Sequence, residues 1–173
     1  MSKVKKLVFA GLLVAIGVAL PIAFHSVPNA GMVFLPMHIP VLLCGLICGP
    51  LYGLACGILA PLLSSLLTGM PVAAMLPSML CELAVYGLVA GLLLKLVKTK
   101  STALNIYVAL VGAMLLGRVV KGLVNALIFN VGQYSLKMWL TSSFVTSIPG
   151  IIAQIVLIPI LILALKKAKL ITL

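Results

Sequence analysis

The apolar positions of this chain run on without alternating. Residues 7–24, 35–48, 51–67, 78–94, 103–130 and 147–165 form six apolar stretches, divided by short segments rich in Pro, Gly, Asn or Lys. In lipid, only α-helices and closed barrels satisfy their own backbone polar groups, and a barrel requires alternation, so these runs predict transmembrane helices. Each crossing needs ~20 residues. The expected fold is an all-α membrane protein, with a single six-helix integral membrane domain over residues 1–173.

The breaks between runs set the topology. Residues 25–35 read as an outer loop with His25 and Asn29 as candidates to close over a ligand, and the second span is short, opened by Pro36 and Pro40. Cys48-Gly49-Pro50 reads as a tight turn, and Gly45, Gly49, Gly53 and Gly57 predict close contact between the second and third spans. Residues 133–147 make a third outer segment, with Tyr134 and Trp139 expected as interfacial anchors. Three lysine clusters, Lys3/Lys5/Lys6, Lys95/Lys98/Lys100 and Lys166/Lys167/Lys169, fall on one side of a six-span fold. By the positive-inside rule that side is the cytoplasm, so both termini are expected there. The first run has the basic start and small-residue end of a signal peptide; its length favours an uncleaved first helix.

Composition narrows the class further. The chain is 64% apolar and 8% charged, with a mean hydropathy of +1.39, outside the range of soluble domains. Its net charge of +11 sits mostly in the three lysine clusters rather than in a stripe interleaved with aromatics, which argues against nucleic-acid binding and for anionic lipid. Cys44, Cys48, Cys56 and Cys81 lie in apolar runs without Cys-x-x-Cys spacing and read as small buried hydrophobes. With one carboxylate and two histidines, the residues offer no metal site, no catalytic triad and no Walker-type phosphate loop. No catalytic residue, cofactor or metal is expected.

The strongest chemical signal lies in the fifth run. Arg118, Lys121 and Asn125 recur three and four residues apart, so they share one helix face within an otherwise apolar segment. A cation in mid-membrane costs ~3 kcal/mol on insertion scales and so tends to face a partner or a polar interior. Glu82, the chain's single acidic residue, can neutralise only one of the two. The surplus positive charge suits a carboxylate or phosphate ligand, which an Arg fork grips in bidentate fashion. The competing reading is structural: Glu82 locks the fourth and fifth spans together while the second cation snorkels. His38, between Pro36 and Pro40, is either a satisfied helix-end group or part of the pocket. Met32, Met37, Met70, Met75 and Met79 lie near the outer ends of spans, where they serve packing or line an adaptable site. On the first helix, Gly11, Ala15 and Ala19 form a smooth stripe for close helix approach, either within the fold or to another subunit.

Several motifs carry a family resemblance. Ala15-Ile-Gly-Val-Ala19, Leu35-Pro-Met-His-Ile-Pro40, Gly49-Pro-Leu-Tyr-Gly53 and Pro61-Leu-Leu-Ser-Ser-Leu-Leu-Thr-Gly-Met-Pro71 resemble the substrate-binding S components of energy-coupling factor (ECF) vitamin transporters, nearest the pantothenate-type branch. The resemblance implies a vitamin pocket near the outer face, closed by the first and third outer loops. It also implies docking of the first-helix small residues on a shared transmembrane scaffold subunit that carries two ATPase subunits, delivery by toppling, and a bacterial plasma membrane location. On this reading Arg118 and Lys121 hold a carboxylate while Asn125, Glu82 and His38 address the polar remainder. Other vitamins or precursors of the class remain open: pyridoxine, hydroxymethylpyrimidine, niacin, queuosine-type or cobalamin-type. So does a self-sufficient channel or proton-coupled carrier, though no inverted repeat is visible.

Overall fold

A computed structural model describes residues 1–24 and 29–171; His25 lies outside the described residues. The helices are α1 (Lys3–Ala23), α2 (Ala30–Phe34), α3 (His38–Cys48), α4 (Pro50–Thr68), α5 (Leu76–Leu96), α6 (Thr102–Val124), α7 (Leu136–Leu140) and α8 (Ile148–Lys167). A π-helical turn, Asn125–Phe129, extends α6, and a second, Thr141–Val145, follows α7. Six segments are long and apolar enough to cross a membrane, as expected: α1, α2 with α3, α4, α5, α6 with its π turn, and α8.

Local chemistry explains the boundaries. Ser2 caps α1 by accepting from the Lys5 amide at 3.2 Å, and Ser101 caps α6 in the same way. Proline occupies the first turn of α4, α5 and α8, where its missing N–H goes unused. Gly49 joins α3 to α4 at φ 103°, a conformation that favours glycine. The second span departs from the continuous helix expected from residue 35. Pro36 disfavours right-handed helix at the residue before it, and Leu35 adopts φ 50°, ψ 48°, so the span breaks into α2 and α3. The break frees the first turn of α3, where His38 sits.

α5 is the centre of the bundle, packed between α3, α4 and α6, while α1 lies on α3 and α4, and α8 on α2, α3 and α6. Where lipid surrounds helices, association relies on close backbone approach and small residues. Gly45 of α3 and Gly53 of α4 meet as expected, and the Gly87 carbonyl of α5 fills the space that a Cβ on either would need. Gly91 continues the seam, its virtual Cβ 2.6 Å from the Gly45 carbonyl oxygen. Three helices therefore share one glycine contact, where the series in the sequence points to two. Gly87→Val forces backbone apart rather than a flexible side chain, and is expected to cost about 1–3 kcal/mol. A thermal melt in detergent would show a clear fall; an unchanged midpoint would mean the seam opens freely.

The lysine clusters share one end of the bundle. Lys6, Gly49, Lys95 and Thr102 line one hollow there, and Lys166 Nζ donates to Thr102 Oγ1 at 3.0 Å. On α1 the buried face is Ala10, Leu13, Gly17 and Pro21, with Gly17 against Ala60 of α4. Gly11, Ala15 and Ala19 point away from the bundle and are exposed. Of the methionines expected near the outer ends, Met37 is buried, Met70 and Met79 are half-buried, and Met32 and Met75 are exposed.

Candidate functional site

The half of the bundle away from the lysines holds its buried polar groups. α5 brings in Glu82, which is 2% exposed. From α6, Lys121 Nζ forms an ion pair with Glu82 Oε2 at 2.7 Å; from the start of α3, His38 Nε2 stands 3.7 Å from the same oxygen. The His38 ring meets Tyr86 edge-on, with centroids 5.4 Å apart. Tyr86 lies one turn along α5 from Glu82, and its ring occupies the space left by the missing side chain of Gly117. Gly117 thus lets α5 and α6 close on each other beside Arg118.

Arg118 is buried at 3% exposure, so the snorkelling expected of a surplus cation under the structural reading does not occur there. Its guanidinium carbon sits 5.2 Å from the Phe144 ring centroid, an interaction that favours a cation over an aromatic face. Nη2 has no hydrogen-bond partner among the described residues. The sequence contains one acidic side chain, and Lys121 holds it. Arg118 therefore carries a buried positive charge with no side-chain counter-charge. The Lys121 side chain is 24% exposed and keeps an edge toward the surroundings. The two cations play different parts, although their spacing alone makes them look equivalent.

Asn125 lies on the same face and turns inward, but its amide works locally. Nδ2 donates to the Lys121 carbonyl at 2.9 Å and Oδ1 accepts from Asn130 at 3.0 Å, which ties off α6 where it widens into the π turn. Trp139 differs from an interfacial anchor standing free. Its indole N–H donates 2.9 Å to the Arg118 carbonyl, and the ring rests where Gly122 has no side chain. The segment 133–147 is thereby fastened over α6, with Phe144 covering the guanidinium and contacting Trp139 edge-on at 5.5 Å.

Some members of this region were not singled out by spacing. Tyr86, Ser143 and Phe144 contribute, and Gln154 on α8 is wholly buried. His38 Nδ1 and Nε2, the Tyr86 hydroxyl, Ser143 Oγ and both amide atoms of Gln154 lack hydrogen-bond partners among the described residues. Buried polar atoms are paired in the great majority of cases, so these are the candidates for bonding to a ligand or water. Tyr86 was detectable in principle, four residues from Glu82 on one helix face. Phe144 was not, because nothing in its own segment shows that it folds back over α6.

Six spans with buried polar atoms left without hydrogen-bond partners among the described residues suit a subunit that binds a small solute. The family model of the ECF transporter substrate-specific component matches residues 5–162. The chain belongs to that family: it is a multi-pass, substrate-binding transporter subunit and not an enzyme. Membership implies a small-molecule substrate and an ECF module with scaffold and ATPase subunits. No curated protein and no solved structure matches the chain.

Proposed function

We propose that this S component captures a small monoanionic vitamin, with pantothenate the best fit, and that Arg118 is the group that recognises its carboxylate. One observation carries the reading: Arg118 is buried, with no counter-charge among the described residues, while the only side-chain carboxylate is engaged by Lys121. A guanidinium fork presents parallel N–H donors to a carboxylate, and low polarity around it strengthens the pair. Lys121, held in place by Glu82, adds its spare donors. Glu82 and His38 serve the ligand's hydroxyl and amide groups, and Asn125 steadies the end of α6 with one amide hydrogen left to offer.

The lysine end is assigned to the cytoplasm by the positive-inside rule, which turns the Arg118 half toward the outside of a bacterial plasma membrane. Ligand then enters from the outer face. Delivery follows docking to the shared energising module and toppling of the loaded subunit. Gly11, Ala15 and Ala19 are the docking surface, a reading supported by their exposure beside the buried Ala10–Leu13–Gly17 face. Ala15→Trp is expected to leave vitamin binding by the isolated subunit within threefold of wild type and to abolish ATP-dependent uptake in the assembled complex. Normal uptake would remove the stripe from docking.

The chain's one tryptophan provides the assay for the site. Because the Trp139 indole is bonded to the Arg118 carbonyl, filling the site should shift its emission. Titration of the purified protein with pantothenate is expected to give a saturable change, and native mass spectrometry should find a small monocarboxylate co-purified. If no carboxylate vitamin binds and the retained ligand is a cation, the anion reading fails.

A further inference from the structure

We infer that Gln154 is the second pole of the ligand site: its amide reads a neutral amide, ureido or hydroxyl group on the same molecule whose carboxylate lies at Arg118. This rests on the anion reading above and narrows its substrate class. Gln154 is 0% exposed, yet neither Oε1 nor Nε2 has a hydrogen-bond partner among the described residues. An amide side chain offers two donors and two acceptor lone pairs. A leucine would fill the same space without leaving any of them unmet, so packing alone gives no reason for glutamine.

Position supports the assignment. The buried stripe leading down α8 is Ser143, Ser147, Gly150, Gln154, Ile158 and Ile162, polar or small as far as Gln154 and apolar beyond it. On α6 the same change runs the other way, from Ala113 and Met114 to Arg118, and on α3 the buried Val41 and Leu42 follow His38. α8 packs against both α3 and α6, so its buried face looks toward the helices that carry His38 and Arg118. Depth agrees as well. At ~1.5 Å per residue from the lysine end, Gln154 lies about 18 Å up from Lys166, Glu82 about 20 Å up from Lys95, and Arg118 about 24 Å up from Thr102.

The two poles differ in charge. Arg118 is cationic, whereas the inward stripe from Ser143 to Ile162 carries no ionisable side chain. The site therefore matches a monoanion that is neutral and hydrogen-bonding at its other end. It does not match a dianionic phosphate, a cation, or a bare aromatic or aliphatic acid.

The test uses four carboxylates on the purified full chain: pantothenate and biotin, which carry a neutral amide or ureido group, and nicotinate and lipoate, which do not. Wild type is expected to bind one of the first pair at least tenfold more tightly than either of the second. Gln154→Leu should weaken that ligand at least tenfold and leave the weak acids unchanged, with Gln154→Asn intermediate. Without ligand, Gln154→Leu should melt at or above the wild-type temperature, because an unmet amide has been removed; a purely structural glutamine would instead lower it. Tightest binding of nicotinate or lipoate would overturn the inference. So would wild-type affinity in Gln154→Leu; if Arg118→Ala still abolished binding, the carboxylate reading would stand while the role of Gln154 fell. Absence of binding by all four, or indifference to Arg118→Ala, would remove both.

Discussion

Arg118→Ala is expected to weaken vitamin binding by at least ~100-fold, a loss of about 2.8 kcal/mol. The variant deletes a buried charge that lacks a counter-charge among the described residues, so the ligand's carboxylate would enter a poorly solvated site with no fork to receive it. Arg118→Lys should fall in between, because it keeps a charge and loses the planar pair of donors. The Trp139 reporter survives in both variants, since its bond is to the backbone carbonyl of residue 118. Ligand-free stability should stay level or rise, as an unpaired charge has left the interior. Affinities within threefold of wild type in both variants would take Arg118 out of the site.

Glu82→Gln is expected to carry the largest stability cost of any single substitution in the polar half. Breaking a buried ion pair from one side leaves the other charge stranded, at about 3–5 kcal/mol. The lower part of that range applies, because Lys121 retains a partly exposed side chain. Two cations three residues apart on α6 would then face each other's field with no acid nearby. Replacing both partners, as in Glu82→Gln with Lys121→Met, should restore most of the lost stability, and a thermal or denaturant melt of the four proteins completes the cycle. If the single variant melts like wild type, Glu82 does not hold α5 to α6.

Much of the architecture was legible because the membrane simplifies the physics. A run of apolar residues long enough to cross lipid has one stable backbone solution, so six spans could be counted directly. The three lysine clusters also fell at one end, as even spacing of the spans requires. The broken second span was only half visible: Pro36 marked a helix start, but the helical turn before it, seated on Gly150 of α8, depends on a helix more than a hundred residues further on. The glycine series likewise named α3 and α4 without revealing that Gly87 of α5 closes the gap.

The candidate site divides along the same line. Arg118, Lys121, Asn125 and Glu82 stand out on composition alone, because charged or amide groups are rare in apolar spans. Their division of labour does not. Whether Lys121 or Arg118 takes the lone carboxylate depends on the rotation of α6 against α5, which Gly117 and Tyr86 set by packing. Asn125 shared the right face and yet spends its amide on its own helix end.

Local rules were enough to determine the number of spans, the end at which the lysines gather and the presence of one more cation than a single acid can neutralise. Helix contacts distant in sequence decided the rest: that α5 is the hub, that Trp139 and Phe144 fold back over α6, that Arg118 is the charge left over, and that Gln154 is buried without a hydrogen-bond partner among the described residues. The physical reason is range. Hydropathy and backbone hydrogen bonding act within one segment, whereas the pairing of buried charges is settled only when helices are brought within a few ångströms of each other.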